Sequence, residues 1–240
     1  MSATTAAAET LARESMVSFV GALADNKAAL GRRYGEWAIS APTLESAVAA
    51  AAMAQDELGH ARSTYPVLKA LGAEPPHEKR FGGHRRLALL DDELPDWASV
   101  IAANLLIDGV LTTFVAACVD STLTPMAQRA RKILQEEGSH RVHAEAWAKR
   151  LCRAGDRERD RLLARLAQTW EQAGRWAGPD EDPGTAAALS AGMIAMGAAE
   201  QRALVRDWLI ALLDAEGVTI ELPEPRDWSR WDPATRRWQA

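Results

Sequence analysis

The sequence predicts an all-α protein. Apolar residues recur with a helical period along most of the 240 residues. Alanine-rich stretches such as AVAAAAMAQDELGHAR, residues 47–62, favour helix. We find no strand-like alternation of any length and no glycine-rich phosphate loop, so α/β and nucleotide-binding folds are not expected.

Turn and capping residues divide the chain into six predicted helices. Thr43 is a plausible N-cap of the second helix, Gly72 follows its end, and Pro125 suits the first turn of the fourth. The segment EPPHEKRFGGHRR, residues 74–86, is predicted to be a connection because of its proline and glycine content. The predicted helices are about 8–37, 44–71, 96–121, 125–153, 157–177 and 185–215.

We expect these helices to form one domain over residues 1–240. The first four predicted helices would make a core bundle over about 8–154, and about 155–240 would hold two accessory helices and a tail. The tail ELPEPRDWSRWDPATRRWQA has no usable period and is rich in tryptophan. It is therefore predicted to be irregular and to clamp over the bundle or a partner subunit.

Composition argues against several classes of function. The formal net charge of −5 provides no basic field for nucleic acid. The most apolar run, residues 100–119, carries Asp108 near its centre, where a charge is costly in lipid, so a membrane span is not expected. Cys118 and Cys152 lack any CxxC partner and are interpreted as buried thiols of a reducing compartment. With no secretory signal pattern at the first residues, a cytoplasmic protein is expected.

Two copies of the pattern Glu-x-x-His lie in the second and fourth predicted helices. Glu57 and His60 are three residues apart, and Glu137 and His140 repeat that spacing. Residues three apart project from the same side of a helix. One copy is most often a chance pair on a charged face. Two copies, each in a helix preceded by another long helix, indicate a ferritin-like four-helix bundle with a carboxylate–histidine metal site.

Such a bundle takes one further carboxylate from each of the other two helices. Asp108 lies in the third predicted helix, 29 residues before Glu137. A ligand role is favoured for it because an unpaired buried carboxylate is costly. The same separation from Glu57 leads to position 28, where the sequence has Lys27 and Ala28 instead of a carboxylate. The sequence thus predicts five of six ligands and a lysine in the place of the sixth.

Carboxylates and imidazoles suit iron or manganese. The predicted metal ligands are Glu57, His60, Asp108, Glu137 and His140, and the three carboxylates among them are also the candidate catalytic groups. Glu136 is either a solvated charge or a hydrogen-bond partner of a ligating histidine. His143 is either a further polar group beside the metal or a partly exposed histidine.

Several segments resemble the phenylacetic acid degradation family, which includes the catalytic subunit of a phenylacetyl-CoA epoxidase complex and its structural sister subunit. Most of the chain is spanned by segments similar to the catalytic subunit: APTLE, QDELGHAR, LLIDG, EEGSHR, AGPDEDP and WDPATRRW. The segment DNKAALGRRYGEW is more similar to the sister subunit. At Lys27 the catalytic subunit has a glutamate.

The resemblance implies a di-iron site that activates O2 and adds one oxygen across an aromatic ring held as a CoA thioester. It also implies a separate reductase and a homo- or hetero-oligomer with a sister subunit. The tail arginines Arg226, Arg230, Arg236 and Arg237 are weaker candidates for contacts with CoA.

Two interpretations follow. The retained ligands favour an oxygenase component acting on an aromatic or related acyl-CoA. From the sequence alone, this is the preferred interpretation. The lysine favours a catalytically silent scaffold. Three carboxylates with one protonated lysine balance a single divalent ion, so we expect one metal ion or none. We also expect Lys27 to donate a hydrogen bond to Glu57.

Overall fold

The computed structural model describes residues 3–75 and 86–239, and in this part of the chain the fold is all-α apart from one short hairpin. A π-helical segment, Ala103–Asp108, joins the fourth and fifth helices, and the antiparallel hairpin pairs β1, Trp231–Asp232, with β2, Arg237–Trp238. The α-helices are α1 Ala3–Trp37, α2 Leu44–Thr64, α3 Val67–Ala70, α4 Trp97–Ala102, α5 Gly109–Ala117, α6 Thr124–Arg153, α7 Asp156–Ala173, α8 Pro183–Ser190 and α9 Ala198–Asp214.

Four long helical segments form the predicted ferritin-like bundle. Helix α1 packs along α2, the α4–α5 segment packs against α6, and α2 packs against α6. Helix α7 covers α4 and α6, α8 lies on α1, and α9 lies on α5 and α6. The buried side chains of these elements form one hydrophobic core.

Helix boundaries follow local chemistry. Thr43 caps α2 as predicted, since its hydroxyl accepts a hydrogen bond from the Ser46 N–H at 3.2 Å. The second predicted helix ends earlier than expected, at Thr64, because Pro66 has no N–H to continue the helical hydrogen bonds. The predicted connection at 74–86 lies almost wholly outside the described residues.

The last predicted helix, 185–215, is in fact two helices. Helix α8 ends at Ser190, and Gly192 follows with a positive φ of 65°. That left-handed conformation is accessible to glycine at little cost and stops the helix. In the described part of the chain, three helices rather than the predicted two therefore follow the bundle.

The tail is more ordered than predicted. Its hairpin lies on α1, where the Ser18 hydroxyl donates to the Pro233 carbonyl at 2.6 Å. The Arg236 guanidinium is buried, lies 3.4 Å from the centre of the Phe19 ring, and donates to the Ala177 carbonyl at 2.5 Å. Arg237 pairs with Asp91 at 2.5 Å. Both arginines hold the tail on the bundle, and this argues against the predicted CoA contacts for these two.

Among the described residues, the stretch Trp97–Ala117 is long and apolar enough to cross a membrane by length and composition. In the structure, 78% of its apolar window is buried by other parts of the chain. It is the central helix of the protein core.

Helices α1 and α2 come very close at Gly31. A Cβ atom there would lie 2.8 Å from Leu58 Cγ and 3.0 Å from the Ala54 carbonyl oxygen. Neither atom is the free end of a flexible side chain, so a larger residue would push the two helices apart. One turn later, at Gly35, an added Cβ would lie at an ordinary 3.8 Å from Ala54 Cβ.

We predict that Gly31→Ala lowers the free energy of unfolding by about 1–3 kcal/mol, because it overpacks this contact. The matched change Gly35→Ala should be neutral or stabilise the protein by up to about 1 kcal/mol, because alanine is the better helix former. Urea denaturation of the two variants measures the difference. Equal effects at both positions would contradict the close approach.

Candidate metal centre

Each of the four bundle segments contributes to one buried cluster of charged side chains. Lys27 comes from α1 and Glu57 from α2, while Asp108 ends the π-helical segment and Glu137 comes from α6. All four side chains are at most 4% exposed. π-Helical turns are rare and are often found at functional sites. Here such a turn carries Asp108, the one charged residue of the stretch Trp97–Ala117.

The Lys27 ammonium lies at the centre of the cluster. Its Nζ donates to Glu57 Oε1 at 2.9 Å, to Asp108 Oδ1 at 2.6 Å and to Glu137 Oε1 at 2.5 Å. The predicted bond to Glu57 is confirmed, and the bonds to the other two carboxylates were not predicted. The three N–H donors of the ammonium thus have one carboxylate each.

His140 contacts the same three carboxylates from another side. Its Nδ1 lies 3.2 Å from Asp108 Oδ2, 3.4 Å from Glu57 Oε1 and 3.4 Å from Glu137 Oε2. His60 Nδ1 lies 3.2 Å from Glu137 Oε1, so the structure brings all five predicted ligands together around Lys27. Ligand atoms of Glu57, Asp108, Glu137 and His140 lie within 4.8 Å of one another, a grouping that could hold a metal ion.

The outer ring nitrogens of the two histidines are bound by carboxylates of the opposite helix. Glu136 on α6 accepts from His60 Nε2 at 2.8 Å, and Asp56 on α2 accepts from His140 Nε2 at 3.2 Å. The Glu136 contact was one of two predicted alternatives. Asp56 was missed, although it precedes Glu57 just as Glu136 precedes its neighbouring glutamate.

His143 does not join the cluster. Its ring packs edge-on against Trp97, with ring centres 6.0 Å apart, and its two nitrogens have no hydrogen-bond partner among the described residues. Burial and the nearby His140 lower the pKa of His143. The alternative of a further polar group beside a metal is therefore not favoured.

Burial and charge shift the pKa values of the clustered groups in opposite directions. Burial alone would lower the pKa of Lys27, but the attraction of Asp108, Glu137 and Glu57 outweighs it and the pKa is raised. Burial would also lower the pKa of His140, yet hydrogen bonds to the same carboxylates raise it. Both groups are therefore cations at neutral pH.

The carboxylates respond differently from one another. Burial and repulsion by Asp108 raise the pKa of Glu57 to about 7, with Lys27 opposing the shift. Burial acts on Glu137 in the same direction, but attraction by Lys27 and the close approach of the His140 and His60 rings hold its pKa well below the usual range. The two cations thus offset two of the three carboxylate charges, and Glu57 is the carboxyl group whose pKa is raised.

The side chains as arranged do not fit a pair of iron ions. Five of the six oxygens of Glu57, Asp108 and Glu137 contact Lys27 or His140, and Glu57 Oε2 is buried without a partner among residues 3–75 and 86–239. His140 Nδ1 lies within 3.2 to 3.4 Å of an oxygen of each carboxylate, and a ring nitrogen that donates to a carboxylate has no lone pair for a metal. A metal ion would have to displace the Lys27 ammonium, because both would need the same oxygens.

We predict that Lys27→Met lowers the free energy of unfolding at pH 7 by about 3–5 kcal/mol, because it leaves three carboxylates buried without their central cation. The matched change is Lys132→Met, since Lys132 forms a half-exposed pair with Glu136 at 2.7 Å. That loss should be under about 1 kcal/mol. Urea denaturation of both variants tests this, and a small loss at position 27 would show that the cluster does not need the ammonium.

Comparison with known proteins agrees with the resemblance found in the sequence. The chain is 26% identical over 156 residues to one of the subunits of the 1,2-phenylacetyl-CoA epoxidase of Escherichia coli (strain K12). The match covers 62% of this chain and 62% of the length of that relative. A family model described as phenylacetic acid catabolic protein matches residues 1–240. The chain therefore belongs to the phenylacetic acid catabolic protein family.

Proposed function

We propose that the chain is a metal-free, non-catalytic subunit of a multicomponent epoxidase-type assembly, in which it supports a metal-bearing sister subunit. The observation that carries the proposal is the position of Lys27 Nζ, within 2.9 Å of an oxygen of each of the three carboxylates. The Lys27 contacts reverse the preference that the sequence alone gave to the enzyme.

The ammonium provides what a metal ion provides to the folded chain. It carries positive charge into the buried space between four helices and gives each carboxylate a short, charge-assisted hydrogen bond. Uncompensated carboxylates in that space would carry a severe desolvation penalty. A bundle with this lysine needs no metal in order to fold, so it can retain the architecture of an oxygenase component without the chemistry.

The remaining parts of the assembly follow from this role. The relative in Escherichia coli is one subunit of an epoxidase, which supports a hetero-oligomer with a sister subunit. In such an assembly the sister subunit would bind iron or manganese, O2 and an acyl-CoA substrate. Electrons would come from a separate reductase, and the whole would be cytoplasmic.

The second candidate is an oxygenase component with a single metal ion. It is favoured by the four ligand atoms that lie within 4.8 Å of one another and by the unpartnered Glu57 Oε2. Asp108, Glu137 and His140 would hold the ion, with Glu57 reaching across, once the Lys27 ammonium had moved aside. A bound iron ion would supply the redox chemistry for O2 activation, with the electrons delivered by the separate reductase.

Lys27→Glu should convert the chain from metal-free to metal-binding. The change removes the central cation and restores the fourth carboxylate of the family pattern, so the variant should bind about two divalent ions per chain. Lys27→Gln removes the charge without adding a ligand and should bind about one ion at most. Anaerobic loading with Fe(II), then desalting and elemental analysis, measures the content.

The natural chain serves as the reference in that experiment. It should retain far less than one ion per chain under the same loading. Two ions bound at Asp108 and His140 in the natural protein, located by anomalous scattering, would sink the proposal. One ion at that position would establish the second candidate instead.

The isolated chain should also be inactive as an oxygenase. Loaded with Fe(II) and given O2, a phenylacetyl-CoA substrate and a competent reductase, it should form no oxygenated product above the background without protein. The control is the same mixture with the sister subunit added. Product formed by this chain with the reductase but without the sister subunit would contradict a purely supporting role.

A further inference from the structure

A cavity of about 490 Å³ lies between α5, α6 and α9. This is within the range of about 300–1,000 Å³ that is common for small-molecule sites. Its walls are mainly apolar and include Leu105, Leu134, Met196 and Val205. An apolar space of this size is suited to the hydrocarbon part of a ligand.

The inner and outer ends of the cavity differ in charge. The buried side chains of Asp108 and Glu137 form part of the wall at its inner end. Arg141, whose side chain is 58% exposed, and Leu204, which is 50% exposed, lie at the outer end. The carboxylates at the inner end are already paired with Lys27 and His140 and offer no cation to a ligand, whereas the guanidinium at the outer end would attract a negative group.

The Arg141 guanidinium is held in place by two neighbouring side chains, but only part of its hydrogen-bonding capacity is taken up. It lies 4.3 Å from the centre of the Trp208 ring, and its Nε donates to Glu145 Oε1 at 2.9 Å. The Trp208 indole N–H donates to the same oxygen at 3.2 Å. The terminal amino groups of Arg141 have no hydrogen-bond partner in the described part of the chain. Those groups are the part of a guanidinium that binds a carboxylate through two parallel hydrogen bonds.

We propose that this cavity is a binding site for amphipathic carboxylates. The hydrocarbon body lies between α5, α6 and α9, and the carboxylate is bound at the outer end by Arg141, which Trp208 and Glu145 orient. Binding through these contacts needs no metal ion. The site would exist whether the chain is a supporting subunit or an oxygenase component.

The test is isothermal titration calorimetry of the full chain with hexanoate, octanoate and decanoate, each below its micelle concentration, and with the alcohols of the same length. The dissociation constant should fall about fourfold per added methylene until the cavity is filled. Each acid should bind about tenfold more tightly than its alcohol, because it gains a charge-assisted hydrogen bond.

Two kinds of variant distinguish binding of the ligand's carboxylate from binding of its hydrocarbon chain. Arg141→Gln should make acid and alcohol bind equally, because the acid loses its charged partner. The matched control is Arg150→Gln, since Arg150 lies 4.7 Å from the ring of Trp147 on the same helix but outside the cavity, and it should change nothing. Thr112→Phe and Leu204→Trp fill the cavity from opposite helices and should weaken acids and alcohols alike, by at least about tenfold.

Three results would overturn the proposal. The first is an affinity that does not depend on the chain length of the ligand. The second is binding that persists in both cavity-filling variants, when their far-UV circular dichroism and Tm match those of the natural protein. The third is an equal loss of acid affinity in Arg141→Gln and Arg150→Gln. Metal content is not a readout of this experiment. A negative result here therefore leaves the proposed supporting function standing, and a failure of that function leaves the cavity site standing.

Discussion

One buried ammonium binds three buried carboxylates at the centre of the bundle, and the packing of the four helical segments has to accommodate this contact. Lys27 and its partners come from the four long helical segments, so the cluster ties the bundle together at a single point. Charges this deep are tolerated only when each has a partner. The close approach at Gly31, one turn along α1 from Lys27, brings α1 near enough for the lysine to reach across. The close packing of α1 on α2 therefore determines whether Lys27 can reach the carboxylates of the other helices.

The two halves of the bundle are arranged alike, and the difference between them lies at Lys27. In each of α2 and α6 an acidic residue precedes the Glu-x-x-His glutamate and binds the histidine of the other helix, as Asp56 does with His140. The α4–α5 segment contributes Asp108, whereas α1 contributes a cation at the corresponding place. With a lysine where a fourth carboxylate is expected, the cluster contains its own positive charge to set against its carboxylates. Both ring nitrogens of His140 then have a carboxylate oxygen at 3.2 Å, from Asp108 and from Asp56.

The sequence predicts repeating features well and unique ones poorly. Helical period and the doubled Glu-x-x-His spacing lead to the bundle, to five clustered side chains and to Lys27. The triple contact of Lys27 could not be predicted, because it depends on how far a flexible side chain extends in three dimensions. Asp56 could have been found by comparing the two motifs. The helix break at Gly192 and the π-helical turn ending at Asp108 could not be predicted from the hydrophobic period, because each changes that period over only a few residues.

Lys27 also governs the character of the cavity on the far side of Asp108 and Glu137. These two carboxylates belong both to the cluster and to the cavity wall. Bound by the ammonium and by His140, they present a balanced surface, whereas free carboxylates would attract water and exclude an apolar ligand. A metal ion at the same place would balance the charge equally well but would expose a reactive centre to whatever the cavity holds. With a lysine in the place of an ion, the apolar space is retained and the ammonium takes up the carboxylate oxygens that a metal would need, which supports the proposed non-catalytic subunit.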